Sequence, residues 1–331
     1  MNLFWSTRSL TAAREDHLTE FFAAALDVSE SFRRAYADLV FKDGANTGTS
    51  TSPHIQNFTT QVNFAGTTCC PDMIITLSDG RTIACEHKLD ALETMGPEKD
   101  SRFQLVRYLD LPVDGLIYVR TTWKPPASEV LNHPKYIHPR GREHFLWRDF
   151  YPILTSDNHV ILDWLREGFE RLGFTPPHPS IGDLSGPDED LSRENRENFA
   201  KLWQRTRSIA HNLGWKVDTG SIVELYLSAN TTSLASSIFI SPAKCDRFLF
   251  RVTPLTDKLR SVTNRLREVC NASCLRTDIT QHQVKRKEGE IEVIDIITSL
   301  REILGKEQIS SEVIEERLSN FVEPLLHAVK K

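Results

Sequence analysis

The segment Cys70-Pro71-Asp72-Met73-Ile74-Ile75-Thr76-Leu77-Ser78-Asp79-Gly80-Arg81-Thr82-Ile83-Ala84-Cys85-Glu86-His87-Lys88 constrains this chain more than any other. Two β-branched apolar runs flank Ser78-Asp79-Gly80, which is the pattern of a β-hairpin. A three-residue loop with Gly80 in the left-handed conformation sets Leu77 opposite Arg81. The same register sets Asp72 opposite Glu86, and alternate residues along a strand share a face, so Lys88 joins them. The other face carries Met73, Ile75, Ile83 and Cys85, which suit a core. His87 falls on that core side too.

Two carboxylates converging on one patch of sheet repel each other unless positive charge sits between them. A divalent cation such as Mg²⁺ is held by one or two carboxylates, several waters and substrate phosphate oxygens. A lysine beside such a cation can stabilise negative charge building on a phosphate. The bland alternative is a solvated strand face that carries Asp, Glu and Lys without chemistry.

Pro71-Asp72 followed by Glu86-His87-Lys88 resembles the PD-(D/E)XK nuclease superfamily. Phe103-Gln104-Leu105-Val106-Arg107-Tyr108 is similar to the Gln-x-x-x-Tyr helix of its RecB-like and defence-nuclease branches, and residues 6–20 resemble their opening helix, whose Glu completes the site. The order helix Glu, Asp, ExK, Gln helix is the family's order and covers roughly the first half of the chain. The resemblance implies an α/β fold, with a restriction-endonuclease-like mixed sheet flanked by helices. It also implies a Mg²⁺- or Mn²⁺-dependent endonuclease acting on DNA, double-stranded by preference, in bacterial anti-phage defence or restriction. The implied site is Asp72, Glu86 and Lys88 with Glu15 from the helix. Asp72, Glu86 and Glu15 are the expected metal ligands, and Gln104 and Tyr108 are expected substrate contacts. A non-catalytic nucleic-acid-binding or regulatory module on the same fold is the competing reading, as is a structure-specific or RNA-directed nuclease.

The chain has 331 residues, which suits two domains rather than one core. A stretch with four prolines and two glycines suggests the division: a nuclease domain over 1–174, a linker over 175–192 and a C-terminal α/β or α+β domain over 193–331. No apolar run approaches the length of a membrane span and no basic-then-apolar leader is visible, so a cytoplasmic protein without membrane contact is expected. Six cysteines in a chain of this size do not read as a disulfide framework. No glycine-rich phosphate loop appears, which argues against ATP hydrolysis. A homodimer or a partner protein of a defence system would fit the family setting.

The net charge of −5 runs against a DNA-binding protein, but net charge says little about local patches. Between Lys258 and Lys287 there are eight basic residues against Glu268 and Asp278. Arg265, Arg267, Lys285 and Arg286 are therefore candidate phosphate contacts. The acids Glu288, Glu290, Glu292 and Asp295 follow directly, so a self-balanced solvated face competes with that reading.

Apolar spacing predicts a helix over 11–26, with a stripe of Leu18, Phe21, Phe22 and Ala25. On that wheel Glu15 borders the stripe, while Asp16 and Glu20 point away. His17 reads as an exposed helix residue without a partner. Further expectations are a helix over 29–41, a polar loop over 42–53, a strand over 57–64, a helix over 98–109 and a buried strand over 116–120. A helix over 158–172 completes the first half. In the second half the pattern predicts a helix over 194–212 and strands near 215–217, 222–227, 237–240 and 248–252. Helices are expected over 256–270, 291–304 and 311–329.

Overall fold

A computed structural model describes residues 2–8, 14–42, 53–89, 91–177, 195, 197–218, 223–229, 233–243, 247–286, 289–305 and 309–330. It divides into two compact units, Met1–Pro176 and Pro177–Lys331. The fold is mixed α/β, with a mixed five-stranded sheet in the first unit and an antiparallel six-stranded sheet in the second, each flanked by helices. Among the described residues no helix is long and apolar enough to cross a membrane.

In the first unit the helices α1 (Leu3–Arg8), α2 (Arg14–Val28) and α3 (Glu30–Ala37) precede the sheet. Ser29 starts α3 by accepting the Phe32 amide on its hydroxyl at 3.0 Å, as an N-cap should. The strands are β1 (Ile55–Thr60), β2 (Met73–Leu77), β3 (Thr82–His87), β4 (Gly115–Arg120) and β5 (Phe145–Leu146), in that spatial order. The first three are antiparallel neighbours; β4 and β5 add in parallel. The hairpin register is the one the loop dictates: Met73 faces Cys85, Ile75 faces Ile83, and the Leu77 amide donates to Arg81 at 2.9 Å. Gly80 sits at φ 88°, where a side chain would be strained.

Both faces of this sheet are covered. Met73, Ile75, Ile83, Cys85, Ile117 and Val119 pack with residues of α1, α2, α3 and of α6 (Val160–Leu172). Ala84, Leu116 and Tyr118 pack the other way, against Leu105, Val106 and Tyr108 of α4 (Gln104–Tyr108) and Val130 of α5 (Ser128–Leu131). That helix is shorter than the spacing over 98–109 suggests. Phe103 is extended and bridges Met95, so the chain turns through a single 3₁₀ turn at Glu98–Asp100 before α4 begins. The predicted loop over 42–53 falls almost wholly outside the described residues, as does most of the 175–192 linker.

The second unit orders its strands β10-β11-β9-β8-β7-β6, all antiparallel. They are β6 (Lys216–Asp218), β7 (Leu225–Ser228), β8 (Ala235–Ala243), β9 (Arg247–Pro254), β10 (Asp278–Arg286) and β11 (Gly289–Ser299). One face holds Phe248, Phe250, Val252, Ile294 and Ile296. It packs with α8 (Leu259–Ala272) and α10 (Ser311–Ala328), while α7 (Gln204–Asn212) lies along α10. The helix expected over 291–304 is instead β11, followed by the one-turn helix α9 (Leu300–Leu304). The physical reason is local: Ile291, Val293, Ile294, Ile296, Ile297 and Thr298 are β-branched and fit a pleated surface better than a helix. The preceding strand β10 was not expected at all.

Candidate functional site

Strands β3 and β4 run parallel, and their carboxyl ends are where an open α/β sheet offers a crevice. Asp72 immediately precedes β2, whose pairing with β3 ends at Met73 and Cys85, so one further step of the register reaches Glu86; Lys88 follows two residues later. All three are buried: Asp72 is 8% exposed, Glu86 0% and Lys88 7%. Their clustering on one face follows from strand parity. Lys88 Nζ stands 2.5 Å from Glu86 Oε1 and 3.6 Å from Glu15 Oε2.

The backbone fixes these groups closely. The His87 amide donates to Asp72 Oδ2 at 2.6 Å, and the Lys88 amide donates to Val119 at 2.9 Å. Trp147 Nε1 donates to the Lys88 carbonyl at 3.2 Å. Glu15 Oε1 accepts the Leu89 amide at 2.7 Å, tying α2 to the end of β3. Glu20, in contrast, is exposed. Tyr108 and Gln104 join from α4: Gln104 Nε2 donates to the Tyr108 hydroxyl at 2.8 Å, and that hydroxyl interacts with Glu86. Thr94 donates to Gln104 Oε1 at 3.0 Å, extending the polar line outward.

The electrostatics are dominated by burial. Desolvation pushes the Asp72 carboxyl up to about 6, against the pull of the His87 amide and Lys88. Desolvation, then the charge of Asp72, pushes Glu86 up to about 8, against the pull of Lys88. Lys88 moves the other way from a buried amine: despite desolvation, Glu86 above all holds it charged and raises its pKa. Neither Glu86 oxygen has a well-directed hydrogen bond, although Lys88 and Tyr108 stand against it. A buried carboxylate left so is costly unless a cation or a proton answers it.

That carboxylate, met by Lys88 and Tyr108 and with Asp72 beside it, fits a cation taking one or two carboxylates and filling its shell with water and substrate oxygens. It does not fit a dedicated protein cage. Among the described residues no three His, Cys, Asp or Glu side chains form a metal-holding group, so the expected ligand set of Asp72, Glu86 and Glu15 is not assembled. Glu15 is spent on the Leu89 amide and Lys88, which makes it a partner of the lysine.

Three further residues correct the sequence reading. Asp16 does not point away: Gln61 Nε2 donates to Asp16 Oδ1 at 3.2 Å and leans toward Asp72 Oδ1 at 3.5 Å. The Gln61 amide also donates to the Asp72 carbonyl at 3.0 Å, and its side-chain oxygen faces the Cys70 thiol at 3.8 Å. Gln61 has φ 51°, a left-handed conformation that only glycine adopts freely. Nothing in the linear pattern marked Gln61, because its role depends on where the loop after β1 passes. His17, expected to be without a partner, lies between Phe4 and Phe21 at 5.0 Å from each ring, with Thr7 Oγ1 3.0 Å from Nε2. His87, by contrast, lies on the core side as strand parity predicts, buried among Phe22 and Trp147 with Thr19 on Nδ1; burial lowers it to about 3, so it stays neutral.

The candidate phosphate contacts of the second unit do not form one cluster on the sheet. Arg265 and Arg267 are exposed on α8, and Arg265 donates to the Lys330 carbonyl at 3.1 Å. Lys285 is exposed on β10 directly opposite Glu290, so it carries a counter-charge with it. Arg286 closes the strand opposite Gly289; its side chain lies outside the described residues, as does Lys287.

No family model matches the chain, and no curated protein matches it. Among solved structures, YbjN from E. coli, a proposed transcription regulator, aligns over 36% of this chain and 86% of its own at 12% identity, with a TM-score of 0.19. A likeness that slight carries no argument about fold or function.

Proposed function

We propose that the first unit is a Mg²⁺- or Mn²⁺-dependent nuclease of restriction-endonuclease-like fold. It hydrolyses phosphodiester bonds of DNA, double-stranded by preference, in a bacterial defence or restriction setting. The observation that carries this reading is Glu86, a fully buried carboxylate with Asp72 beside it, Lys88 against it and no well-directed hydrogen bond of its own. Such an arrangement is expensive in a domain core and is characteristic of sites that receive a ligand.

Asp72 and Glu86 would hold the cation, which when bound supplies an acidified water and neutralises phosphate charge. Lys88 keeps its proton, because Glu86 raises its pKa; it therefore acts as a donor to the phosphate and not as a base. Glu15 orients the lysine through its ion pair. Gln104 and Tyr108 present a hydrogen-bonded pair beside Glu86 that can receive the nucleic-acid backbone.

The test is cleavage of supercoiled plasmid, linear duplex, single-stranded DNA and RNA with Mg²⁺, with Mn²⁺ and with chelator. Cation-dependent cleavage that disappears in Lys88→Ala supports the reading, and the four substrates assign its preference. Intact substrates throughout, with either cation, would make this fold a non-catalytic module.

A further inference from the structure

The second unit contains a cavity of about 470 Å³ between α8, α9 and α10, within the size range of small-molecule sites. Its wall is apolar: Val269, Leu275, Ile303, Phe321 and Leu325 face it. Two polar features break that wall on α10, one turn of helix apart. Arg317 lines the cavity half-buried, and among the described residues no carboxylate pairs with it. Its Nη1 donates to the Leu304 carbonyl at the end of α9, which anchors the guanidinium in place. The other feature comes from the backbone. Pro324 lies inside α10 and has no N–H to give the Asn320 carbonyl, and both residues line the cavity. Packing alone does not call for a guanidinium without a carboxylate beside an apolar hollow.

We propose that this cavity binds a small amphipathic anion, its apolar body in the hollow and its carboxylate-like end on Arg317. The guanidinium is preorganised by Leu304, so little side-chain freedom is lost when an anion arrives. This site is separate from the carboxylate cluster of the first unit and does not depend on the nuclease reading.

The experiment is calorimetric titration of the full chain with decanoate, decanol and decyltrimethylammonium. Saturable one-to-one binding of decanoate is expected. Ala272→Trp, a change at an exposed lining position, should fill the mouth and weaken decanoate binding by about tenfold or more, the loss of roughly one good contact. Arg317→Met should weaken decanoate by about tenfold, as expected for a lost charge-assisted hydrogen bond, and leave decanol unchanged. Arg317→Lys should recover most of the loss. Unchanged melting of each variant secures the fold, and because Ala272 is exposed, its variant remains informative if Arg317→Met unfolds. Absence of saturable decanoate binding, equal affinity in Ala272→Trp, or equal binding of the cationic decyl probe would each overturn the proposal.

Discussion

The two sheets bury charge in opposite ways. In the second unit Asp295, 4% exposed, is met by Arg251 with two parallel hydrogen bonds, each 2.7 Å, and His282 stands 3.6 Å away. Both carboxylate oxygens are answered, and the bidentate geometry is the strongest a protein makes with these groups. In the first unit Glu86 is more deeply buried than Asp295, yet it has no bidentate partner: Lys88 meets one oxygen, and the neighbouring Asp72 carboxylate repels it. The same physical cost, burying a carboxylate, is closed in one sheet and left open in the other. A closed pair holds a structure together; an open one leaves bonding capacity for something that arrives later.

The contrast can be broken at its strongest point. Asp72→Ala should lose both divalent-cation binding and cleavage, whereas Lys88→Ala should keep most cation binding and lose cleavage by about a hundredfold or more, the usual worth of one donor to developing charge. Isothermal titration with Mn²⁺ beside a plasmid assay separates the two. Full activity in Lys88→Ala would remove the lysine from the chemistry. In the closed pair, Asp295→Ala should destabilise the second unit by about 3 kcal/mol, because Arg251 is left without its partner. Urea unfolding measures this, and cleavage per folded molecule should not change.

Smaller effects sharpen the comparison. Glu15→Gln should lower cleavage by about tenfold, since the 3.6 Å ion pair to Lys88 is lost while the Leu89 hydrogen bond can persist. Glu20→Gln should be neutral; the reverse result would make Glu20 the helix acid.

The open carboxylates also predict a pH slope. Asp72 and Glu86 have folded-state values of about 6 and about 8, above their unfolded values, so the folded state binds the extra protons. Their contribution is full below about pH 4 and is lost as pH rises toward 8, by at most about 1.4 kcal/mol per pH unit per group. Melting without divalent cations should therefore fall over that window, and Glu86→Gln should flatten its upper half. A flat wild-type profile would mean the pair is satisfied after all. The smallest effect is expected from removing Arg265, Arg267, Lys285 and Arg286 together. Each lost duplex-phosphate contact would reduce the salt slope of DNA binding by roughly 0.9. An unchanged slope would assign these residues to a solvated face, as the Lys285–Glu290 pairing already favours.

Much of the candidate site was legible because strand parity and turn type are local rules. Once Gly80 fixes the loop, the register from Leu77 to Asp72 has no freedom, and Asp72, Glu86 and Lys88 must share a face. Glu15 was legible for a similar reason, since it borders the apolar stripe of α2. Asp16 was not, because a helical wheel records position about one axis and says nothing of a loop that comes to meet the exposed side. The second sheet was partly lost for a different reason. The basic end of β10 and the acids alternating with Ile and Val along β11 drew attention to a basic run and an acidic run. The β-branched residues between them carried the strand signal. The extent of α4 depended on the bridge of Met95 to Phe103, a contact between positions that no period relates.

Gln61 has a consequence for how this chain can vary. Its backbone conformation favours Gly or Asn, and its side chain must span from Asp16 to Asp72 with an amide. Glycine satisfies the first demand and would leave two acids facing each other with nothing between. Asparagine satisfies the backbone and offers an amide, but is one methylene too short to keep both contacts. Glutamate would add a third acid to the pair. Position 61 is thus read by conformation and chemistry at once, and few letters satisfy both. Among descendants of this sequence, Gln61 should persist wherever Asp16 and Asp72 are both acidic and drift once either acid is gone, so that the three positions change as one unit although they lie in separate segments of the chain.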